Sequence, residues 1–397
     1  MITNEAARVL GNNLVLAKAV NRDYDDEFGI KGAKIGQTLN VRKPVRPTTR
    51  SGPVVNIQSA QETYAPLTFT DPIGVDYSFT SSEMTFSIDD FSNRFIKPAV
   101  VQIANVVDSL GYALMDKVYN EVGTPGTPLT TATARSAVLA AAAKLYENDA
   151  PVGDGNLHFI NSPSFNAVLS DSNASLFNPT KSISDTYVKG MQGEFGGFSH
   201  YMSQNVRSHT NGVFGGAPEI SGAGQTGSSI TTEGWTATTT SLVPGDVFTI
   251  AGVYAVNPQT RLPLSFLQQF TVTSASVTDG AGLSTLQISP AIVTSGSLKN
   301  VTNSPADGAA ITVAGASAST YGQSLGFHRD AFMLANKELV VPTGVERAAY
   351  TVDPSTGIGI RVVQQYDVRT DQFITRFDTM VAWAVLYEQL AVRVATS

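Results

Sequence analysis

The sequence contains no cysteine among its 397 residues, and this absence excludes several chemistries. Disulfide bonds, thiolate metal sites and cysteine nucleophiles all need a sulfur atom that the chain lacks. Histidine is also scarce, and none of the four forms the His-Glu-x-x-His pair that holds zinc on a helix. We therefore predict no metal site and no cofactor. The four histidines are His158, His200, His209 and His328.

Charged residues are few as well. They make up 15% of the chain, well below the usual quarter, and the formal net charge is -7. A chain with so little charge must hide much of its surface, and a packed assembly is one place to hide it. The negative balance provides no basic stripe to release counterions from phosphate, so we expect at most weak contact with nucleic acid.

Long apolar runs and targeting signals are missing too. No stretch approaches the roughly 20 apolar residues that span a membrane. The first residues, Met1 to Glu5, lack the basic region and apolar run of a secretory signal. We expect a protein that starts as a soluble cytoplasmic chain and has no membrane partner.

The chain is too long for one compact core, so two or three structural units are expected. It begins with an amphipathic segment, in which Leu10, Leu14, Ala17 and Val20 share one stripe. This spacing predicts a short helix over residues 3–20. An acidic cluster follows, made of Asp23, Asp25, Asp26 and Glu27.

Residues 37–80 have the pattern of extended structure. Ile73, Val75, Tyr77 and Phe79 alternate with polar residues near the end of this segment. Before them lie a basic cluster and several prolines, among them Pro44, Pro47, Pro53 and Pro66, which make a poor core. We therefore predict a protruding hairpin that packs against something else. The basic cluster consists of Arg42, Lys43, Arg46 and Arg50.

The clearest helical pattern begins at Asp89 and Asp90 and ends at Gly123 and Pro125. It predicts a helix of about 24 residues, roughly 36 Å long, that could cross a whole domain as a spine. A second helix is predicted over 131–147, a strand over 157–160, and a further helix from Ser164. Alternating helices and strands indicate a mixed α/β unit.

Composition changes between about residues 215 and 319, where charged residues become scarce. Short strands over 247–250, 270–273, 286–288 and 311–313 are separated by Gly and Pro turns, which is typical of a small barrel or sandwich. Mixed character resumes afterwards, so the β unit is predicted to be an insertion. The tail is predicted to contain a short helix over 327–335 and strands over 359–366, 371–378 and 380–387.

One enzyme motif is present. Gly322-Gln323-Ser324-Leu325-Gly326 matches the Gly-x-Ser-x-Gly nucleophile elbow of serine hydrolases. The elbow requires an acid and then a histidine further along the chain, and the one later histidine is His328, too close to leave room for the acid. We interpret the motif as a loop in a Gly/Ser-rich chain and keep a β-rich serine hydrolase using Ser324 as an alternative.

The basic cluster has two interpretations. It could contact nucleic acid, but it lacks interleaved aromatic residues. It could also bridge to acidic patches on a neighbouring copy of the chain, which would specify the register of an assembly. We favour the second interpretation. The predicted contact residues between subunits are Arg42, Lys43, Arg46, Arg50, Asp23, Asp25, Asp26 and Glu27.

Four stretches resemble one known family. Residues 12–18 with 21–24 resemble its amino-terminal arm, residues 34–44 the start of its extended loop, residues 244–253 the first hairpin of an inserted barrel, and residues 327–332 the segment after that barrel. The family is that of the major capsid (coat) proteins of tailed bacteriophages, which have the Johnson fold, in the subgroup with an inserted β-barrel domain.

The resemblance implies an α+β fold with an N-terminal arm (1–36), an extended loop (37–80), a peripheral domain with a spine helix (81–125), an axial domain (126–214), an inserted β-barrel (215–319) and a return to the axial and peripheral domains (320–397). It implies a non-enzymatic subunit of an icosahedral head around double-stranded DNA, built of pentamers and hexamers. A scaffolding protein, a portal and assembly in the bacterial cytoplasm are implied as well. An encapsulin-like compartment of the same fold is the other alternative.

Overall fold

The structure, a computed structural model, describes residues 6–10, 14–22, 38–47, 52–55, 57, 62–80, 95–174, 193–353 and 356–396. These residues form a mixed α+β fold in which strands predominate. The chain divides into two compact units. The first comprises Met1–Val41, Ala65–Tyr112 and Phe332–Ala384, and the second comprises Arg42–Tyr64, Ala113–Ala331 and Val385–Ser397.

The first unit is built on a four-stranded antiparallel sheet and one long helix. The helix α2 (Lys97–Tyr112) packs against the sheet and buries Val100, Ile103, Ala104 and Val107, which recur at helical spacing. A shorter helix, α1 (Leu16–Ala19), precedes it in the chain. In order across the sheet the strands are β20 (Arg347–Val352), β21 (Gly359–Asp367), β22 (Gln372–Thr379) and β3 (Ile73–Thr80), and a separate pair is formed by β19 (Phe332–Asn336) and β23 (Val381–Val385).

Two helix predictions for this part of the chain need correction. The helix predicted over 3–20 is interrupted: residues 6–10 are helical, and α1 begins only after Leu14 and Val15. The interruption has a tertiary cause, because backbone N–H groups of Val15 and its neighbours bond to Asp108. The spine helix is also shorter than predicted, since α2 has 16 residues and continues as a 3-10 helix over Ala113–Lys117. The two segments together extend about 34 Å, close to the expected reach.

The second unit contains a six-stranded mixed sheet with two helices. Helix α3 (Thr131–Glu147) has the predicted bounds, because Thr130 and Thr133 form a capping box at its start. Helix α4 (Pro163–Ala174) follows the strand β5. In order across the sheet the strands are β4 (Glu121–Val122), β24 (Ala391–Ala395), β18 (Gln323–His328), β5 (Leu157–Asn161), β7 (Phe198–Met202) and β6 (Glu194–Phe195).

The helix predicted over 327–335 is wrong. The segment is the end of β18, a 3-10 turn over Arg329–Ala331, and β19. Its Ala, Leu and Met residues favour a helix locally, but Phe327 and His328 belong to β18, which pairs with β24 and β5, and residues 332–335 belong to β19, which pairs with β23. Strand pairing overrides the local helix propensity.

The β unit is inserted through a paired neck. The chain passes through β8 (His209–Thr210) and returns through β17 (Thr320–Tyr321), and these two strands pair with each other. Between them lies a six-stranded sheet, and one edge strand bonds to the residues just before the other edge strand, through Ile220 N–H and the Ala309 carbonyl, 3.0 Å apart. In order across the sheet the strands are β16 (Ile311–Val313), β12 (Val247–Val256), β13 (Pro263–Val272), β15 (Ser284–Ile292), β10 (Gly227–Trp235) and β9 (Gly216–Ile220).

The inserted sheet surrounds its own hydrophobic core, which includes Trp235, Phe248 and Phe270. The four strands predicted in this region match β12, β13, β15 and β16, except that residue 273 lies just beyond β13. Strands β9 and β10 were not predicted, because their Gly, Ser and Thr residues give little apolar alternation. A small two-stranded sheet, β11 (Ser241–Leu242) with β14 (Ser276–Val277), completes the insertion.

Candidate assembly surface: the extended hairpin and its foot

The extended segment forms a two-stranded sheet of β1 (Thr38–Lys43) and β2 (Thr63–Thr68), as the prediction of a hairpin required. We call residues 38–68 the extended hairpin. Thr38 and Thr68 share a hydrogen bond of 3.0 Å between their hydroxyl groups. Every second residue of β1 is exposed, so these strands form no core of their own. An isolated pair of strands is marginally stable in water.

The part of the hairpin between its strands exposes apolar side chains. Val54, Val55 and Ile57 are 80%, 72% and 90% exposed, and we call these three residues the hairpin tip. Single exposed apolar residues are normal on a protein surface. Three of them within four positions of one extended segment are typical of a surface that another molecule covers.

The predicted basic contact residues lie near the start of the hairpin. Arg42 is 3.8 Å from Glu62, and with side chains 82% and 63% exposed this ion pair contributes little. Lys43 is partly buried, with its Nζ 5.6 Å from the centre of the Tyr387 ring, and burial lowers the pKa of Lys43. Arg46 is partly exposed. The other predicted contact residues, Arg50, Asp23, Asp25, Asp26 and Glu27, lie outside the described residues.

Sequence reasoning missed one acidic residue near the start of the hairpin, Glu388. Burial raises the pKa of Glu388, while its hydrogen bond from Ser289 and the charges of Lys43 and Lys117 lower it. The segment of residues 42–47, which contains Lys43, is named the hairpin foot. The sequence signal for Glu388 was weak, because it consists only of two polar residues, Glu388 and Gln389, in an otherwise apolar tail.

A buried charged cluster in the second unit was also missed. Arg393 on β24 is completely buried, and its Nη2 donates to the Gly245 carbonyl at 2.9 Å. Glu121 on β4 is buried too, and its Oε1 accepts the Tyr321 hydroxyl at 3.2 Å. Burial raises the pKa of Glu121, and the charge of Arg393 opposes this shift. A single arginine inside the apolar strand 391–395 was the available signal.

Lys144 on α3 adds a basic group to this cluster. Its ammonium group donates a hydrogen bond to Gln269 Oε1 and lies 4.9 Å from the centre of the Phe266 ring. Burial lowers the pKa of Lys144 to about 8, and the nearby charges of Glu121 and Glu147 oppose that shift.

We expect the free energy of unfolding of the second unit to rise by about 2 kcal/mol between pH 8 and pH 10. In this window the folded Lys144 has lost a proton that the unfolded chain, with its ordinary pKa, still holds. The rise ends near pH 10, because burial raises the pKa of Tyr321 and tyrosines of the unfolded chain then ionise first. Urea unfolding across this range measures the slope. Lys144→Met should remove most of this slope, leaving the smaller part that other buried groups such as Lys43 contribute, and equal slopes in both proteins would contradict the assignment to Lys144.

The hydrolase alternative is not favoured. The prediction that the Gly322–Gly326 motif forms a loop is wrong, because most of it belongs to β18, which pairs on both sides. Ser324 within this strand is completely buried, and its Oγ accepts the N–H of Ser162 at 3.2 Å. A nucleophile elbow instead exposes its serine on a sharp turn after a strand. In the described parts of the chain, no group of three or more His, Asp or Glu side chains could hold a metal ion.

Among the residues that the structure describes, one helical segment, Lys97–Lys117, is long and apolar enough to cross a membrane by length and composition. Of the window that meets this test, 56% is buried inside the protein, which is the behaviour of a core helix.

The mixed α+β fold of the chain is similar to that of solved structures of phage origin. The structure from Mycobacterium phage Che8 matches with a TM-score of 0.50 and 11% identity, covering 96% of this chain and 90% of that one. The capsid structure of the cyanophage P-SCSP1u gives 0.49 and 9%, with 97% and 88% covered. The I-domain of the CUS-3 coat protein gives 0.19 and 27%, with 25% and 96% covered. No curated protein matches the chain.

The chain belongs to the P22 coat protein family, whose model, described as P22 coat protein - gene protein 5, matches residues 2–391. It is a structural major capsid protein of a tailed bacteriophage. Its place is the virion capsid, where it assembles with copies of itself into an icosahedral shell. The resemblance found in the sequence is thereby confirmed, and the encapsulin-like alternative is not favoured.

Proposed function

We propose that the subunit closes its shell around double-stranded DNA by laying the extended hairpin across a neighbouring copy. The observation that supports this is the exposed hairpin tip, Val54, Val55 and Ile57. Covering each of these side chains contributes about 2 kcal/mol of gross stabilisation. Because every subunit touches several neighbours, modest contacts of this kind add up around a closed shell.

The charged contacts of this proposal join the basic and acidic clusters of different copies. Arg42, Arg46 and Arg50 face the acidic cluster of residues 23–27. The long, exposed pair of Arg42 and Glu62 supports this, because so weak a pair exchanges readily for a partner on another chain. Lys43 already contacts Tyr387 of its own subunit and belongs to the hairpin foot. Such charges determine the register of the contact more than its strength.

The finer architecture follows the Johnson fold. We assign α2 as the spine helix, the mixed six-stranded sheet as the axial domain, and the inserted six-stranded sheet as the inserted β-barrel. The bonded edges of this sheet and the separate hydrophobic core support the last assignment. Pentamers and hexamers of this subunit, a scaffolding protein and a portal complete the head, which is assembled in the bacterial cytoplasm. The packaged DNA is contacted weakly, in keeping with the net charge of -7.

Replacing Ile57 by aspartate should leave the subunit folded and raise the concentration needed for shell assembly at least tenfold. The side chain is exposed in the subunit, so its stability should change by less than about 0.5 kcal/mol. In the shell the same change buries a charge in an apolar contact. Sedimentation and electron microscopy, with scaffolding protein supplied, measure closed shells. Ile57→Leu is the matched control and should assemble normally; normal shells from Ile57→Asp would rule out the proposed contact.

A further inference from the structure

The extended hairpin needs further contacts to stay in place, because an isolated pair of strands is at most marginally stable in water. Its foot, residues 42–47, contacts residues of the second unit at two points. Both points lead to the inserted sheet, through the turn between β12 and β13 and through the strand β15.

The first point is Arg261, at the turn between β12 and β13. Its guanidinium Nη2 donates to the Pro47 carbonyl of the foot at 3.2 Å and to the Ser297 carbonyl of the insertion at 3.4 Å. The turn itself is held by Asn257, whose carbonyl accepts the Arg261 N–H at 2.9 Å. The Asn257 side-chain amide donates to the Glu147 carbonyl at the end of α3 at 2.9 Å. Arg261 is thus presented to the foot from a turn fixed at both ends.

The second point is Glu388. Ser289, on β15 of the insertion, donates its hydroxyl hydrogen to Glu388 Oε2. Lys43 of the foot packs with its Nζ 5.6 Å from the centre of the ring of Tyr387, the residue before Glu388. The charge of Glu388 also raises the pKa of Lys43, against the larger effect of burial. The two neighbouring residues Tyr387 and Glu388 therefore contact both the foot and a strand of the insertion.

We infer that the inserted β unit determines the direction of the extended hairpin, by holding its foot through Arg261 and through Ser289 with Glu388. The two points hold positions 43 and 47, on either side of Pro44. Two fixed points on a short, proline-containing segment define a direction, whereas one would act as a pivot. Through these two contacts the insertion influences how the hairpin meets a neighbouring copy, although both contacts lie within its own subunit. The consequence for shells rests on the proposed function of the hairpin.

The absence of cysteine permits a direct test on the full-length chain. Spin labels on the variants Val55→Cys and Ser295→Cys report the distance between the hairpin tip and an exposed position of the insertion. In the unassembled subunit we expect one narrow distance distribution. Arg261→Ala and Ser289→Ala should each broaden it at least twofold, and the double variant should broaden it further. Gln259→Ala, an exposed neighbour in the same turn, is the matched control and should leave it unchanged.

The same variants without labels test the consequence for assembly. Arg261→Ala and Ser289→Ala should yield open or irregular shells where Gln259→Ala yields closed ones. Thermal unfolding checks that each variant is folded, and Ser289→Ala, which loses one hydroxyl, serves should Arg261→Ala fail to fold. Distance distributions that stay narrow and unshifted in both variants would overturn the inference, whatever the shells look like. Failure of the proposed function shows separately, as normal assembly of Ile57→Asp.

Discussion

Replacing Asp246 by alanine is expected to lower the free energy of unfolding of the inserted β unit by about 3–5 kcal/mol. The Asp246 side chain is almost completely buried. One of its oxygens lies 2.9 Å from Nε2 of His209, and the carboxylate also accepts the N–H groups of Gly212, at 3.2 and 3.3 Å, and Val243, at 2.9 Å. Alanine would leave the N–H groups of Gly212 and Val243 and the ring of His209 without this partner, and each such loss costs about 1–3 kcal/mol.

The free energy of unfolding should be measured with a probe that lies inside the insertion. Trp235 lies in its core, and the other tryptophan, Trp383, can be replaced by phenylalanine so that fluorescence follows Trp235 alone. Asp246→Asn keeps one acceptor oxygen and should lose roughly half as much stability. A loss below about 1 kcal/mol for Asp246→Ala would mean that water replaces the carboxylate and that the neck does not depend on it.

The second large effect concerns residues 14–22, which lie in the segment predicted to be an N-terminal arm. Asp108, buried on α2, accepts the N–H groups of Val15 at 2.7 Å, Leu16 at 3.3 Å and Ala17 at 3.2 Å. These donors stand at the start of α1, where a helix has no partners of its own and favours a negative charge. Burial raises the pKa of Asp108, and the three N–H groups counteract that shift. Asp108→Ala should therefore release residues 14–22 from the first unit at a cost of about 3 kcal/mol.

Hydrogen exchange is the measurement for this prediction. In Asp108→Ala the amides of Val15, Leu16 and Ala17 should exchange about 100-fold faster, while amides of β21 and β22 keep their protection. Asp108→Asn retains one acceptor oxygen, so its exchange rates at these three amides should lie between those of the wild-type protein and those of Asp108→Ala. Unchanged protection at residues 15–17 would show that apolar packing of Leu14 and Leu16, and not the carboxylate, holds the arm.

Much of the secondary structure could be predicted because its causes are local. The capping residues Thr130 and Thr133 mark the start of α3 within their own turn. The alternation of residues 73–79 likewise marks β3, whose pairing partner β22 lies about 300 residues later in the chain. The segment over 327–335 shows the opposite case. Its residues favour a helix among their neighbours, but its two ends pair with β24, β5 and β23, and these strands are not evident from the segment itself.

The candidate surface was predicted in part. Prolines, polar residues and a basic cluster indicated a hairpin that is not part of a core, and β1 and β2 form it. The apolar tip was not singled out, because Val54, Val55 and Ile57 look like any short β run until their exposure is known. Glu388 was missed because its neighbours Lys43 and Ser289 are distant in sequence.

By itself, the sequence determined the class of protein and most of its local elements, since periodicity, turn residues and the order of segments depend on residues close together in the chain. Only the tertiary structure decided which charged side chains are buried and stabilise the fold. Asp108 and Asp246 have the sequence surroundings of ordinary surface acids, yet one meets donors 91–93 positions away and the other a histidine 37 positions away. Burial comes from such distant segments meeting, and burial makes these carboxylates indispensable.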